Sequence, residues 1–151
     1  MNILFERAQS KDVNYIHNIQ RDSFKLSYEK YKWCPAYNAT IENIKNAMNR
    51  FFMYKILENS EIIGVIMVSK KKDNEYEIDT MFIHPDRQNR GIGTKAVRFI
   101  EAEFPDAKIW TLYTPHKDYR NHHFYEKLGY KKIGENIIND NLSLFNYRKE
   151  V

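Results

Sequence analysis

One cysteine, five glycines and four prolines are all that 151 residues contain of these types. The lone thiol, Cys34, has no second cysteine to pair with, so no disulfide within the chain can form and the chain suits a reducing compartment. Long hydrophobic runs are missing as well: nowhere do about 18 apolar residues stand together. The opening MNILFERAQSKD has neither the apolar core nor the small-residue cleavage site of a signal peptide. These absences lead to the expectation of a cytoplasmic chain that does not involve a membrane. Charge of one sign is not in large excess, since 24 Lys and Arg against 20 Asp and Glu give +4 and a pI near 9.0. The densest basic run, Lys70-Lys71-Lys72, is followed by Asp73-Asn74 and reads as a hairpin turn. No basic stripe with interleaved aromatics stands out, which argues against a nucleic-acid partner; a small anionic ligand accounts for the excess as easily. His116, His122 and His123 lie close together without a cysteine. Adjacent histidines on a helix point about 100° apart, so no metal site is expected.

What is present is the composition of a globular protein, with 42% hydrophobic, 29% charged and 15% aromatic residues. At this length folding buries roughly 70% of the unfolded surface, enough for one domain spanning residues 1–151. Residues 2–8 read as a strand, and Ser10 as the cap of a helix whose apolar spacing, Val13, Ile16, Ile19, fades near Phe24. The aromatic stretch SYEKYKWCPAY reads as a loop or broken helix. Ile41, Ile44 and Met48 mark a second helix, and residues 52–58, 61–69 and 75–83 an antiparallel meander. A helix through Ala96, Val97, Ile100 and Phe104 ends at Pro105. A strand at 108–114, a short helix at 119–128 stopped by Gly129, and strands at 130–137 and 142–148 complete the order. A meander plus one β-α-β crossover implies a mixed α/β sheet with helices on both faces.

Gly91 and Gly93 stand where a strand and loop turn into a helix. There the backbone can approach a ligand closely, and the first N–H groups of the helix, with its dipole, suit a phosphate. Arg87, Arg90, Lys95 and Arg98 surround this point. The plainer reading is a tight turn with solvated arginines. GIGTKA also satisfies the dinucleotide fingerprint G-x-G-x-x-G/A, but His84 and the six residues after it separate the strand from Gly91, and the following strand ends Leu112-Tyr113-Thr114-Pro115 without the ribose-binding acid. The Walker A spacing is not met either.

Gln88-Asn89-Arg90-Gly91-Ile92-Gly93 resembles the Q/R-x-x-G-x-G/A acyl-CoA signature of the GNAT N-acetyltransferase superfamily. Asn121-His122-His123-Phe124-Tyr125-Glu126-Lys127-Leu128-Gly129-Tyr130 resembles that family's second signature, and the element order agrees over essentially the whole chain. The resemblance implies a central mixed, mostly antiparallel sheet of about seven strands with about four helices. It further implies acetyl-CoA as cosubstrate and no metal, with transfer of the acetyl group to a primary amine by direct attack in a ternary complex. Backbone N–H groups of Gln88, Asn89, Arg90, Gly91, Ile92, Gly93 and Thr94 would hold the pyrophosphate. Met81 and Ile83 would pair with the pantetheine arm, and Asn121 would hydrogen-bond it.

Three chemical roles remain to be filled. Glu77, fourteen residues before Gly91, stands where some relatives place a general base; Asp79 shares its strand face, and two acids at a strand start also make a plain solvated edge. The backbone N–H of Met81, freed by a β-bulge, would face the thioester oxygen. Tyr125, one helical turn from Asn121, would protonate the departing thiolate, with Phe124 and Leu128 forming the packed face and Tyr125 turned to the edge; the alternative is a core aromatic. Tyr28, Tyr31, Trp33 and Tyr37, with Glu29, would suit a cationic acceptor or simply pack on the core. The acceptor, a small molecule or a protein amine, is left open. Homodimerisation is common in the family and is not decided by these residues. Two other functions compete: a non-catalytic acyl-CoA-binding or regulatory module, and an NAD-dependent oxidoreductase.

Overall fold

The computed structural model describes residues 2–151. Strand β1, Ile3–Arg7, leads through a 3-10 turn at Ser10–Asp12 into helix α1, Val13–Tyr31. The expected cap at Ser10 is not used. Asp12 instead accepts from the Gln9 N–H at 2.8 Å and from Lys55 Nζ at 3.0 Å, which pairs two buried charges beneath the helix start. Helix α1 also runs past Phe24, where its apolar spacing fades. Its last turns keep good helix formers and end in a buried Tyr31, and Lys32, at φ 59°, stops it with its N–H on the Tyr28 carbonyl. Helix α2, Ile41–Arg50, begins at a reciprocal pair in which the Thr40 hydroxyl accepts from the Asn43 N–H and the Asn43 amide oxygen accepts from the Thr40 N–H, both at 3.0 Å.

The meander follows as strands β2, Phe52–Glu58, β3, Glu61–Lys72, and β4, Glu75–Ile83. Asn59, Ser60 and Asn74 take left-handed φ values at its turns. Strand β3 is longer than expected: the lysine run belongs to the strand, and only Asp73-Asn74 make the turn. Helix α3, Ile92–Glu103, strand β5, Ile109–Pro115, helix α4, Tyr119–Lys127, and strands β6, Lys131–Asn139, and β7, Leu142–Glu150, complete the chain. The seven strands lie in the order β1-β2-β3-β4-β5-β7-β6. β4 and β5 pair in parallel, while β1–β2, β2–β3, β5–β7 and β6–β7 pair antiparallel. The result is the mixed, mostly antiparallel sheet that the element order implied.

By its contacts the chain forms two compact units, one from the segment ending at Val68 with Thr80–Glu103, the other from Ser69–Asp79 with Phe104–Val151. In the first, neighbouring residues of β2 serve opposite faces: Met53 joins Val13, Ile16, Ile44, Val65 and Phe82 under α1 and α2, whereas Tyr54 meets Phe99 of α3 edge-on. Phe5 stacks on the same Phe99 at 4.7 Å. In the second, Tyr76 packs between Phe104 and Trp110, and Leu112, Tyr130 and Tyr147 are buried.

Gly64 marks a close approach inside the first unit. A Cβ at this position would fall well within van der Waals contact of the Phe82 carbonyl oxygen and would press on Ile83 Cα. Gly64→Ala is therefore expected to destabilise the fold by about 1–3 kcal/mol, read as a lower thermal midpoint; an unchanged midpoint would rule out the close approach.

Candidate active site

Residues after β4 form a braced loop. His84 caps a short 3-10 turn, its Nδ1 accepting from the Asp86 N–H at 3.2 Å, and the Gln88 side chain donates to the Ile83 carbonyl at 2.9 Å. Asn89 and Gly91, at φ 66° and 75°, then turn the chain into α3. The first helical bond runs from the Lys95 N–H to the Gly91 carbonyl, so helix geometry leaves the N–H groups of Ile92, Gly93 and Thr94 without intrahelical acceptors. Their direction and the helix dipole favour an anion. The two nearby arginines face elsewhere: Arg87 pairs with Glu58 and Glu61, and Arg90 reaches Glu58 at 3.2 Å. Glu58 is buried, so this cluster ties the loop to the β2–β3 hairpin.

Ser69 Oγ donates to Asp79 at 3.0 Å, so these two residues share a face. Strand β3 pairs regularly with β2 from Gly64 to Val68. Phe82 packs in the cluster of Val65 and meets Phe24 of α1 edge-on. Farther along, the His84 N–H donates to the Ile63 carbonyl at 2.8 Å. By alternation residues 83 and 81 turn their N–H groups away from β3. The register with β5 stops at Ile78↔Leu112 among the described residues.

The second unit carries the acids. Glu77 and Asp79 stand two residues apart on β4, and Lys71 Nζ lies 3.8 Å from one and 4.0 Å from the other. Burial, and after it the neighbouring Asp79, raise the Glu77 carboxyl against the pull of Lys71, and the group comes to rest at about 7. Burial raises Asp79 too, against the Ser69 hydroxyl, Glu77 and Lys71. A carboxyl poised near neutrality can accept a proton from an amine at working pH.

On α4 the structure corrects the expected packing. Tyr125 is the buried residue of this helix, edge-on to Tyr130 and to Phe124, while Phe124 and Leu128 are only half-buried. Burial holds the Tyr125 phenol well above its ordinary value, so it stays protonated. Asn121, one turn earlier, donates to Thr114 Oγ1 at 3.3 Å. The histidines have local partners: the His116 ring accepts from the Ser143 N–H at 3.0 Å, and the His122 ring meets the Pro115 carbonyl at 2.9 Å. In the aromatic stretch Tyr28 and Tyr31 belong to α1 rather than to a loop; Tyr28 stacks on Tyr37 at 4.8 Å, Tyr31 is core, and Trp33 is exposed.

A family model described as the acetyltransferase (GNAT) family matches residues 13–130. The chain belongs to the GNAT family. An uncharacterised protein of Bacillus subtilis, YrkN, is 32% identical over 129 residues, covering 82% of this chain and 69% of that protein. Among solved structures, the PaiA N-acetyltransferase of Thermoplasma acidophilum in complex with coenzyme A superposes with a TM-score of 0.84 at 18% identity, covering both chains fully. A GNAT family acetyltransferase of Elizabethkingia anophelis with acetyl-CoA bound gives 0.74 at 15% identity, covering 99% of each chain. For a GNAT protein the seven-stranded, mostly antiparallel sheet with its four helices is the expected frame. Sequence reasoning missed Ser69, read only as the last residue of a strand, and Lys71, read as part of a hairpin turn. The period-two spacing of Val65, Met67, Ser69 and Lys71 was the available signal.

Proposed function

We propose that the whole chain acts as one cytoplasmic acetyl-CoA-dependent N-acetyltransferase domain, in which a primary amine attacks the thioester directly within a ternary complex. The observation that carries this reading is the Glu77–Asp79 pair, with Glu77 poised at about 7 on the strand that leads into the phosphate-type loop. A carboxyl held near neutrality beside a second acid and a lysine supports catalysis over a bare coenzyme-binding module.

The parts divide as follows. Backbone N–H groups of Gln88, Asn89, Arg90, Gly91, Ile92, Gly93 and Thr94 bind the pyrophosphate. The Ile83 carbonyl is already taken by Gln88, so Ile83 offers its N–H to the pantetheine, joined by Met81 and by the Asn121 amide. Met81 serves as the donor to the carbonyl oxygen as charge develops there, its N–H turned away from β3 by alternation with His84. Glu77 removes the proton of the amine, directly or through water, and Tyr125 gives one to the thiolate as the C–S bond breaks.

A thermal-shift titration followed by turnover with amines tests this. Acetyl-CoA at about 100 times its Kd should add roughly 2.7 kcal/mol, worth very roughly 6–10 °C, whereas NADH and ATP should leave the midpoint in place. A shift with NADH alone would assign the loop to a different cofactor, and a shift with acetyl-CoA but no amine turnover would favour the regulatory module.

A further inference from the structure

The acceptor amine can be narrowed, given the reading of Glu77 as base. The registers Glu77↔Thr111 and Thr111↔Arg148 set three residues in one row across β4, β5 and β7. Two strand spacings, about 10 Å, separate its ends. Above the row lies a cleft of about 620 Å³ whose lining includes Lys71, Lys72, Glu75, Tyr113, Ile133 and Arg148 as well as Glu77.

The charges of this cleft are not those of a polycation site. Its carboxylates already face lysines, with Lys72 Nζ 3.4 Å from Glu75 and Lys71 Nζ 3.8 Å from Glu77. Arg148 stands at the far end of the row. Its ion-pair partner, Glu150 at 3.2 Å, is 74% exposed and lies outside the lining, so an entering anion displaces a weak surface contact. A second ammonium at that end would instead meet the guanidinium directly. Asn146 also lines the cleft, and its Oδ1 is buried without a hydrogen-bond partner, an acceptor suited to an incoming N–H. Tyr113 and Ile133, both substantially exposed, give a short methylene stem something to lie against.

We propose that the acceptor is a small linear amine ending in a carboxylate a few methylenes away, with its amine at Glu77 and its carboxylate on Arg148. Arginine binds a carboxylate through two parallel hydrogen bonds, which fixes orientation as well as charge. In the reaction Glu77 takes a proton from the amine, the nitrogen bonds to the acetyl carbon, and the C–S bond breaks. The thiolate of coenzyme A then takes a proton, leaving an N-acetylated ω-amino acid and the free thiol.

The test compares γ-aminobutyrate with putrescine, which share a carbon count and differ in the charge of one end, in the wild type, Arg148→Met and Arg148→Lys. The wild type should favour γ-aminobutyrate in kcat/KM by tenfold or more. Arg148→Met should lose about 10- to 100-fold on γ-aminobutyrate through KM while putrescine holds or improves, and Arg148→Lys should recover part. Taking the ratio of two substrates on one preparation removes any effect of a partly unfolded variant. A preference for putrescine, or a ratio that Arg148→Met leaves in place, overturns the assignment of acceptor class. Failure to turn over either amine while acetyl-CoA still raises the midpoint overturns it too, leaving transfer to another amine; no shift with acetyl-CoA would overturn the proposed function itself.

Discussion

Tyr125→Phe should lower kcat by about two to three orders of magnitude, the range of a positioned general acid, with the KM for acetyl-CoA nearly unchanged. The substitution removes one oxygen and leaves the ring that meets Tyr130 at 5.8 Å and Phe124 at 4.9 Å, so the fold should survive it. Burial keeps the phenol protonated across the working range. The hydroxyl is therefore always ready to donate, and no pH limb of the wild-type profile should belong to it. Steady-state kinetics on the purified variant, with a thermal melt as control, decide the matter. Turnover at the wild-type rate would return Tyr125 to the plain role of a core aromatic.

Glu77→Gln should cost about two orders of magnitude or more in kcat/KM at neutral pH. In the wild type the carboxyl sits near 7, so kcat/KM should fall about tenfold per pH unit below that value as the base becomes protonated. Asp79→Asn removes a neighbour that raises Glu77, so the acidic limb should move to lower pH. Stability follows with a definite sign. The folded state holds the Glu77 proton more tightly than an unfolded carboxyl at 4.5, so this group stabilises the fold at low pH and loses that contribution as pH rises through about 7. Glu77→Gln should then be more stable than the wild type at pH 8 by on the order of 1–2 kcal/mol, while being nearly inactive. An acidic limb that stays in place in Asp79→Asn, or a glutamine variant no more stable at pH 8, would separate Glu77 from the role assigned to it.

Much of the frame could be read from residue types whose physics is local. Asn59-Ser60 and Asp73-Asn74 announce turns because asparagine tolerates the left-handed region, and the apolar alternation between them fixes the strands. Gly91 was legible for the same reason. The extent of α1 was not, because residues 25–30 carry no apolar stripe; Leu26 is 75% exposed, and Tyr31 is the buried residue at the end of the helix. The Ser69–Asp79 contact was out of reach as well, since it depends on a cross-strand register that neither strand states by itself. The inward turn of Tyr125 follows from packing against Tyr130, beyond the end of the helix, and a helical wheel of α4 cannot include it.

The buried Glu58 carboxylate, gripped by Arg87 and Arg90, has a consequence for binding. A glycine-containing loop left to itself samples many shapes, and a ligand that orders it gives up affinity in proportion. Here two ion pairs at one end and the Gln88–Ile83 hydrogen bond at the strand, all made by the chain's own residues, fix the path of the loop. The arginines nearest the phosphate-type site thus act as guy-ropes for the loop, and a polyanion arriving there meets a cradle whose shape is already set.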